Sequence, residues 1–327
     1  MKRLWLAPVL VAACGGPEPP MTTMAPKSDV AEAFRTLFLQ IVGIDSVILV
    51  IVVVALFLGI FRYSKRSGIG TEVSRSTQLR LETAWTVGPA LVLLMIAIPS
   101  VRMTFRLQPT TVPRDALVVQ IIARQWWWDV RYPDLGVTTA NEIHVPVGRP
   151  VRLFLDSADV IHSFWVPQLA GKRDVVPGQT NEITLIPRVA GVYPGQCAEF
   201  CGLSHANMGL RMFVDPPEEF GAWRARQVGP AATPAAGDAE AGARLYAGST
   251  CTPCHTLGTA SAGRLGPDLT HFGSRTTLAA GLLRNTPDNV AAWLRDPQAI
   301  KPGARMPALA LSEGQVRQLV AYLGSLE

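Results

Sequence analysis

Two long runs of apolar residues lie near the amino end of the chain, and each is long enough to cross a membrane. The run 36–61 contains a single charged residue, Asp45, and the run 83–101 contains none. A helix of this length spans roughly 30 Å of hydrocarbon. The pattern predicts a transmembrane hairpin over residues 30–107, with helices at about 36–61 and 83–104.

A shorter apolar run opens the chain. Lys2 and Arg3 precede ten mostly apolar residues that end at Ala13, a pattern typical of a secretory signal and too short to span a bilayer. We therefore expect a signal peptide over residues 1–13. The next residue, Cys14, stands where bacterial lipoproteins are cleaved and lipidated, which makes it a candidate lipidation site. Ordinary cleavage that leaves an idle thiol is the alternative.

The segment between the two predicted membrane helices is rich in basic residues. Arg62, Lys65, Arg66, Arg75 and Arg80 stand against Glu72 and Glu82. Positively charged loops stay in the cytoplasm, so both ends of the hairpin are expected on the outer, periplasmic face of a bacterial inner membrane. Everything after about residue 107 is predicted to lie on that side.

Short runs rich in β-branched residues follow the membrane segments, separated by Pro, Gly, Asp and Asn. They cover residues 116–122, 141–145, 150–155, 182–186 and 210–214. Runs of this length with such punctuation are typical of strands. The pattern predicts a small all-β sandwich or barrel over residues 114–216.

The rest of the chain changes character again. After Pro217 the sequence favours a short helix and then a segment dominated by Ala, Gly and Pro, which cannot build a core. We assign residues 217–236 to a linker. Apolar residues recur at helical spacing in 289–294 and 313–323, so residues 237–327 are predicted to form a separate helical domain.

Composition narrows the function classes. The 327 residues are 48% hydrophobic and 17% charged, and the net charge of +5 comes without a block of like charges. A nucleic-acid partner is therefore not expected. Four of the five cysteines form two close pairs, too sparse for a disulfide scaffold. They are better explained as metal ligands or attachment points.

The first cysteine pair belongs to a cluster of soft ligands. Cys197, Cys201, His205 and Met208 fall within twelve residues, and thiolates, imidazoles and thioethers favour copper over calcium or magnesium. One copper needs one cysteine, whereas a second cysteine lets two sulfurs bridge two ions. The cluster predicts a dinuclear copper site whose second histidine is His162, at the end of an apolar run.

Alternatives to a dinuclear copper site with these ligands remain open. A disulfide between Cys197 and Cys201 fits an oxidising compartment but leaves the His and Met spacing unexplained. A zinc site has little use for Met208. His144 is the rival histidine, although alternation makes it a strand residue. Met212 is the rival thioether, and core packing explains it better.

These residues, together with Gln125–Trp128 and Lys172–Gly178, resemble subunit II of the haem-copper cytochrome c oxidases over about residues 30–220. The resemblance implies a cupredoxin-like sandwich. In that family the ligands of the dinuclear copper A centre occupy the positions of His162, Cys197, Cys201, His205 and Met208, with the backbone carbonyl of Glu199.

The resemblance implies further roles. The Glu199 carboxylate would contact a magnesium or manganese ion shared with subunit I, and Asp174 would lie in its outer shell. Trp126 would be the residue through which electrons enter. Strand alternation keeps the three tryptophans 126–128 from all being core, so an exposed indole is expected to meet the haem edge of a partner. Ordinary strand aromatics are the alternative. Trp127 departs from the usual tyrosine. The copper ligands imply cytochrome c, not a quinol, as the electron source.

The second cysteine pair forms the signature Cys251-Thr-Pro-Cys254-His255. Both thiols of such a motif attach a c-type haem, and the histidine binds iron. A thioredoxin-like redox pair would need a βαβ context absent here. Met306 lies in a loop that resembles the distal-ligand loop of small cytochromes c. His271 is predicted to lie on the surface.

The tail resembles a class I cytochrome c domain, and the whole chain resembles oxidase subunits II that carry such a domain at their carboxyl end. The implied function is electron relay from a cytochrome c-type donor, through haem and copper, to the haem of subunit I. The implied partners are subunit I, further oxidase subunits and membrane lipids. Glu82 matches the family position at the mouth of a proton channel, although a solvated carboxylate explains it equally well. The competing hypothesis is a membrane-anchored electron shuttle or copper-delivery protein.

Overall fold

The computed structural model of the chain describes residues 20–63, 73–107, 113–258 and 261–327. Most of two long helices, α1 (Asp29–Tyr63) and α2 (Arg75–Arg106), forms one compact unit. Both helices have the length and hydropathy of membrane spans. Both helices are longer than the predicted apolar runs, because they also include the polar residues that flank those runs.

The region predicted as all-β, the β domain (residues 114–216), consists of two five-stranded sheets. The strands are β1 (Leu117–Arg124), β2 (Trp127–Tyr132), β3 (Val137–Ala140), β4 (Glu142–Pro146), β5 (Val151–Ser157), β6 (His162–Trp165), β7 (Arg173–Val175), β8 (Asn181–Leu185), β9 (Gly191–Cys197) and β10 (Gly209–Asp215). The orders are β3-β2-β1-β5-β8 and β4-β10-β9-β6-β7. The β1–β5 and β4–β10 pairs are parallel, and the other pairs within the two sheets are antiparallel.

Alternating burial explains why these strands form a sandwich. Along β1, every second side chain from Leu117 to Ala123 is buried, as the period of two in a strand requires. Trp128 of one sheet meets Phe164 of the other edge to face, with ring centroids 5.6 Å apart. The core therefore lies between the sheets, and the loops at the sandwich's ends are free to carry chemistry.

The first half of the segment assigned to the linker is a packed helix. Helix α3 (Pro217–Val228) buries Trp223, whose ring stacks on His144 at 4.5 Å and meets Tyr132 edge on at 5.3 Å. Aromatic contact with the β domain outweighs the low hydrophobicity of this stretch. Only residues 229–237 connect the two domains without helix or strand.

The C-terminal domain (residues 237–327) is mainly helical. Its helices are α4 (Asp238–Ala247), α5 (Pro287–Arg295), α6 (Pro297–Ile300) and α7 (Glu313–Gly324), and its short strands are β11 (Thr256–Leu257), β12 (Ser261–Ala262), β13 (Thr277–Leu278) and β14 (Leu283–Arg284). Helices α4 and α7 cross closely at Gly242, where a Cβ atom would lie 2.1 Å from the carbonyl oxygen of Gln318. Only glycine fits there.

Candidate metal and cofactor sites

The sheet that contains β6, β9 and β10 brings the soft-ligand residues together. His162 begins β6 and Cys197 ends β9, and these strands are neighbours. The chain then makes a loop and re-enters the sheet just after Met208. The amide of Cys197 donates to the carbonyl of Met208 at 2.9 Å and closes that loop. Residues 35 positions apart in sequence therefore meet because their strands are paired.

All the predicted ligand atoms lie close together. The Cys197 Sγ atom is 3.8 Å from Cys201 Sγ, 3.9 Å from His162 Nδ1 and 3.2 Å from the Glu199 carbonyl oxygen. Cys201 Sγ is 3.6 Å from His205 Nδ1 and 3.9 Å from the Met208 Sδ atom. A disulfide needs sulfurs about 2.05 Å apart, so Cys197 and Cys201 are not joined. The spacing suits ligands around shared metal.

Close contact gives the two thiols different acidities. The Sγ atoms of Cys197 and Cys201 contact each other at 3.8 Å, and this contact, with that from His162, holds the pKa of Cys197 well below its usual range. The same contact and burial raise the pKa of Cys201. A metal cation bound here would favour both sulfurs as thiolate ligands and would release their protons.

Asp159 fixes the ring of His162. The carboxylate accepts from His162 Nε2 at 2.8 Å, which leaves Nδ1 facing the sulfurs. It also accepts from the amide of Gln125 at 2.7 Å, and it lies 3.8 Å from the guanidinium of Arg305. Burial opposes its ionisation, but these hydrogen bonds prevail and lower the pKa of Asp159. A carboxylate behind a ligand histidine sets its tautomer and orientation.

The two residues expected at a magnesium or manganese site lie on either side of a lysine. Lys172 Nζ is 3.7 Å from the carboxylate of Glu199 and 4.0 Å from that of Asp174. Both carboxylates are exposed. Within the β domain, the ammonium group of Lys172 supplies the positive charge between them.

The rival ligands are used elsewhere. His144 lies in β4, stacked between Phe213 and Trp223, and its Nδ1 contacts Asp215 at 2.8 Å. Met212 is fully buried in β10. Neither is available to the sulfur cluster, as alternation along the strands indicated.

A cavity of about 350 Å³ brings the second cysteine pair and Met306 to one space. Cys251, Cys254 and His255 line it together with Met306. His255 Nδ1 donates to the carbonyl of Pro267 at 2.8 Å, so Nε2 is the nitrogen left for a metal. Burial lowers the pKa of His255 despite that bond and keeps the ring neutral.

The cavity wall carries a cationic side chain that suits a ligand with a carboxylate. At Gly266 a Cβ atom would lie 2.5 Å from His255 Cε1, so the imidazole packs directly on bare backbone. Arg275 also lines the cavity, and its enclosed Nε atom finds no hydrogen-bond partner among the described residues. An orphaned guanidinium nitrogen beside an apolar space suits a carboxylate. The sequence carried no signal for Arg275, since it lies outside every motif.

His271 is buried, which contradicts the prediction that it lies on the surface. Only 5% of the residue is exposed, and its Nδ1 donates to the carbonyl of Glu327 at 3.2 Å. The carboxyl end of the chain covers it, because the amide of Gly273 donates to the carbonyl of Leu326 at 2.7 Å. His271 does not line the cavity.

Trp126 is also buried, contrary to the expected exposed indole. It is 8% exposed, and its Nε1 donates to the carbonyl of Cys201 at 3.0 Å. The C-terminal domain covers it, since a Cβ atom at Gly303 would lie 3.0 Å from the indole. Trp126 and Trp127 form a wall of the cavity that contains Cys251. One wall therefore separates the cavity from the sulfur cluster.

The remaining predicted residues lie in the membrane segment or outside the described residues. Glu82 lies on α2 and accepts a hydrogen bond from the side chain of Gln78 at 2.9 Å. Cys14 and the signal sequence 1–13 lie outside the described residues. So does most of the basic loop between the helices.

Three family models match successive parts of the chain. "Cytochrome C oxidase subunit II, transmembrane domain" matches residues 23–103, "Cytochrome C oxidase subunit II, periplasmic domain" matches 135–213, and "Cytochrome c" matches 239–327. The chain is thus similar to these families in its membrane, β and C-terminal segments.

Curated relatives are similar over nearly the whole length. Cytochrome c oxidase subunit 2 of Alkalihalophilus pseudofirmus is 34% identical over 94% of this chain and 91% of its own. That of Bacillus subtilis (strain 168) is 34% identical over 99% and 96%. A solved structure, the periplasmic domain of subunit II of cytochrome oxidase of Bradyrhizobium japonicum, is 32% identical. It covers 36% of this chain and 96% of its own, with a TM-score of 0.34.

Proposed function

The chain belongs to the cytochrome c oxidase subunit II family, and we propose that its two soluble domains relay electrons from a donor outside the cytoplasm to the oxygen-reducing subunit. The observation that carries the proposal is the shared wall. Trp126 lines the cavity of the Cys-x-x-Cys-His motif and bonds the carbonyl of Cys201 in the sulfur cluster. Two redox sites that share one wall would exchange electrons over a short path.

The cupredoxin-like β domain implies copper, and we assign two ions to its sulfur cluster. The proposed ligands are His162, Cys197, Cys201, His205 and Met208, with the Glu199 carbonyl. Cys197 and Cys201 would both hold the copper as thiolates, which accounts for their closeness without a disulfide. Two thiolates, two imidazoles and a thioether are a donor set that copper prefers.

The cytochrome c domain implies haem, and we assign one haem to the cavity. Cys251 and Cys254 would hold it through thioethers, and His255 and Met306 would bind its iron. Arg275 would bind a carboxylate of the haem. The bound copper and haem supply the one-electron redox chemistry.

The protein's own residues keep both sites rigid. Asp159 and Pro267 each fix one histidine by a hydrogen bond to the nitrogen turned away from the metal site. Trp126 excludes water between the two sites and offers a polarisable ring for electron passage. A scaffold that does not rearrange suits rapid transfer.

The membrane anchor and the partners complete the proposal. The chain is membrane-anchored through α1 and α2, and we place both soluble domains on the periplasmic face. Subunit I and further oxidase subunits would be its partners, with cytochrome c as the donor. The Glu199 carboxylate would contact magnesium or manganese at the junction with subunit I, and Asp174 would lie in the outer shell of that ion. Glu82 would stand at a proton channel.

Purification from its own membranes in mild detergent tests the proposal. We expect the chain to copurify with a haem- and copper-bearing subunit and the preparation to consume oxygen with reduced cytochrome c. A chain that purifies alone, loaded with haem and copper, would instead support the shuttle hypothesis. The signal peptide and lipidation of Cys14 are tested by the mass of the mature amino terminus.

A further inference from the structure

A buried carboxylate crosses from the β domain into the C-terminal domain. Glu142, at the start of β4, is 3% exposed. Its Oε1 atom accepts from the amide and hydroxyl of Thr276 at 3.0 and 2.7 Å, and from the amide and hydroxyl of Thr277 at 2.8 and 2.7 Å. Four donors on one oxygen form a socket for an anion, and the cation of Arg275 adds attraction.

A buried amino group crosses the junction in the opposite direction. Lys301 of the C-terminal domain is 4% exposed. Its Nζ donates to the backbone carbonyl of Trp126 at 2.6 Å and to that of Ala279 at 3.0 Å. The bond to Trp126 holds the backbone of the same residue whose ring separates the two candidate redox sites.

The backbones of the two domains also approach each other closely. A Cβ atom at Gly209 would lie 2.9 Å from the carbonyl oxygen of Ala280. Ser204, in the loop of the sulfur cluster, donates to the carbonyl of Pro302 at 2.5 Å. Interfaces with such close approach and satisfied polar groups hold one arrangement.

We infer that Glu142 and Lys301 are positioning residues that lock the C-terminal domain onto the β domain in one fixed pose. The inference rests on the proposed function, because the lock fixes the distance between the haem and copper sites. Electron transfer between them then needs no docking step. The segment 229–237 connects the domains, and the pose comes from the two side chains.

The charge of Glu142 and the donors of Thr276 and Thr277 should both contribute to holding the domains together. When the domains separate, water can hydrate both Glu142 and Lys301. When a substitution removes one of these side chains from the closed interface, the groups that were bonded to it stay buried without a hydrogen-bond partner, which is costly. Glu142→Gln keeps an acceptor oxygen and turns an amide N–H group towards the amide of Thr276, which lies 3.1 Å from Oε2. Glu142→Gln should therefore weaken the lock less than Glu142→Ala.

Cleavage of the connecting segment tests the lock directly. A protease site inserted at 233–236 is cut in membranes that carry the full chain, and the C-terminal fragment is followed in pellet and supernatant. We expect the fragment to stay with the membrane in the parent protein. Glu142→Ala, Lys301→Met and Thr277→Val should each increase its release by about tenfold or more. Glu182→Gln, which alters an exposed pair with Arg152, is the matched control.

Release from the parent protein upon cutting, or equal retention in all variants, would overturn the inference. Spectra of haem and copper, unchanged in the variants, show that each domain stays folded. In uncut protein, haem-to-copper transfer should be independent of solvent viscosity in the parent and slower and viscosity-dependent in Glu142→Ala. If the parent binds neither haem nor copper, the proposed function fails, while fragment release still decides the lock.

Discussion

The indole of Trp126 donates its Nε1 hydrogen to the backbone carbonyl of Cys201 at 3.0 Å. The same indole lines the cavity that contains Cys251 and His255. One side chain therefore touches the loop of the sulfur cluster and borders the second site. In this chain the residue that would receive an outside donor is already covered by the chain's own C-terminal domain.

Replacing Trp126 should slow electron passage without removing either cofactor. Trp126→Phe retains a ring but loses the bond to Cys201, whereas Trp126→Ala opens the wall. We expect Trp126→Ala to lower the haem-to-copper transfer rate at least about tenfold, or about 1.4 kcal/mol in activation free energy. Trp223→Phe, which packs on Tyr132 and does not line the cavity, is the control. Equal rates in all three variants by flash photolysis would reject this route.

The sulfur cluster should give a paramagnetic spectrum in which one electron couples equally to two copper nuclei. Cys197→Ser or Cys201→Ser should abolish that pattern, because each removes a bridge. Met208→Leu should mainly shift the reduction potential, since a weak thioether tunes more than it holds. Met212→Leu, a substitution in the core, should change neither the spectrum nor the reduction potential. A paired spectrum that survives both serine variants would show that the thiolates do not bridge.

Met306→Ala should open the sixth position of the haem to carbon monoxide, detected by a spectral shift on adding the gas. His271→Ala should leave the haem spectrum unchanged and lower the free energy of unfolding by about 1 kcal/mol, because it loses the bond to Glu327. Carbon monoxide binding in the His271 variant alone would mean that the distal ligand is assigned wrongly.

The buried amino group of Lys301 should make stability rise with pH. Burial lowers its pKa from 10.5 to about 7, so between these values the unfolded chain binds more protons than the folded one. Stability then increases with pH across that window. Lys301→Met should flatten the rise, measured as the shift in unfolding midpoint between about pH 7 and about pH 9. An equal rise of stability with pH in the parent and in Lys301→Met would contradict this role of Lys301.

Much of the fold was predictable because alternation and punctuation are local signals. The predicted strands correspond to β1, β4, β5, β8 and β10 within about two residues. Strands β2, β3, β6, β7 and β9 were missed. Strands β3 and β7 are only four and three residues long, and the other three contain consecutive aromatics, a four-residue run and a Pro-Gly pair, none of which alternates. Strands β2, β6 and β9 carry or adjoin the site residues. Their side chains are those that the site needs, so they do not follow the apolar–polar alternation of an ordinary strand.

The motif residues were predictable and the junction was not. Short motifs such as Cys251–His255 keep their ligands adjacent in sequence. Glu142 and Thr277 are 135 positions apart, and a lone glutamate in a strand gives no sign of its partner. The Ala-, Gly- and Pro-rich composition after Pro217 predicted a linker, and nothing in it indicated the closed interface that Glu142 and Lys301 form between the two domains.

Injection of a single electron by a light flash into the purified oxidase tests the central claim most directly. The account predicts that the haem of the C-terminal domain is reduced first. It then reoxidises with the same rate constant with which the copper site becomes reduced, independently of protein concentration. Direct reduction of the copper site while the haem stays oxidised, or a transfer rate that scales with protein concentration, would contradict an internal relay.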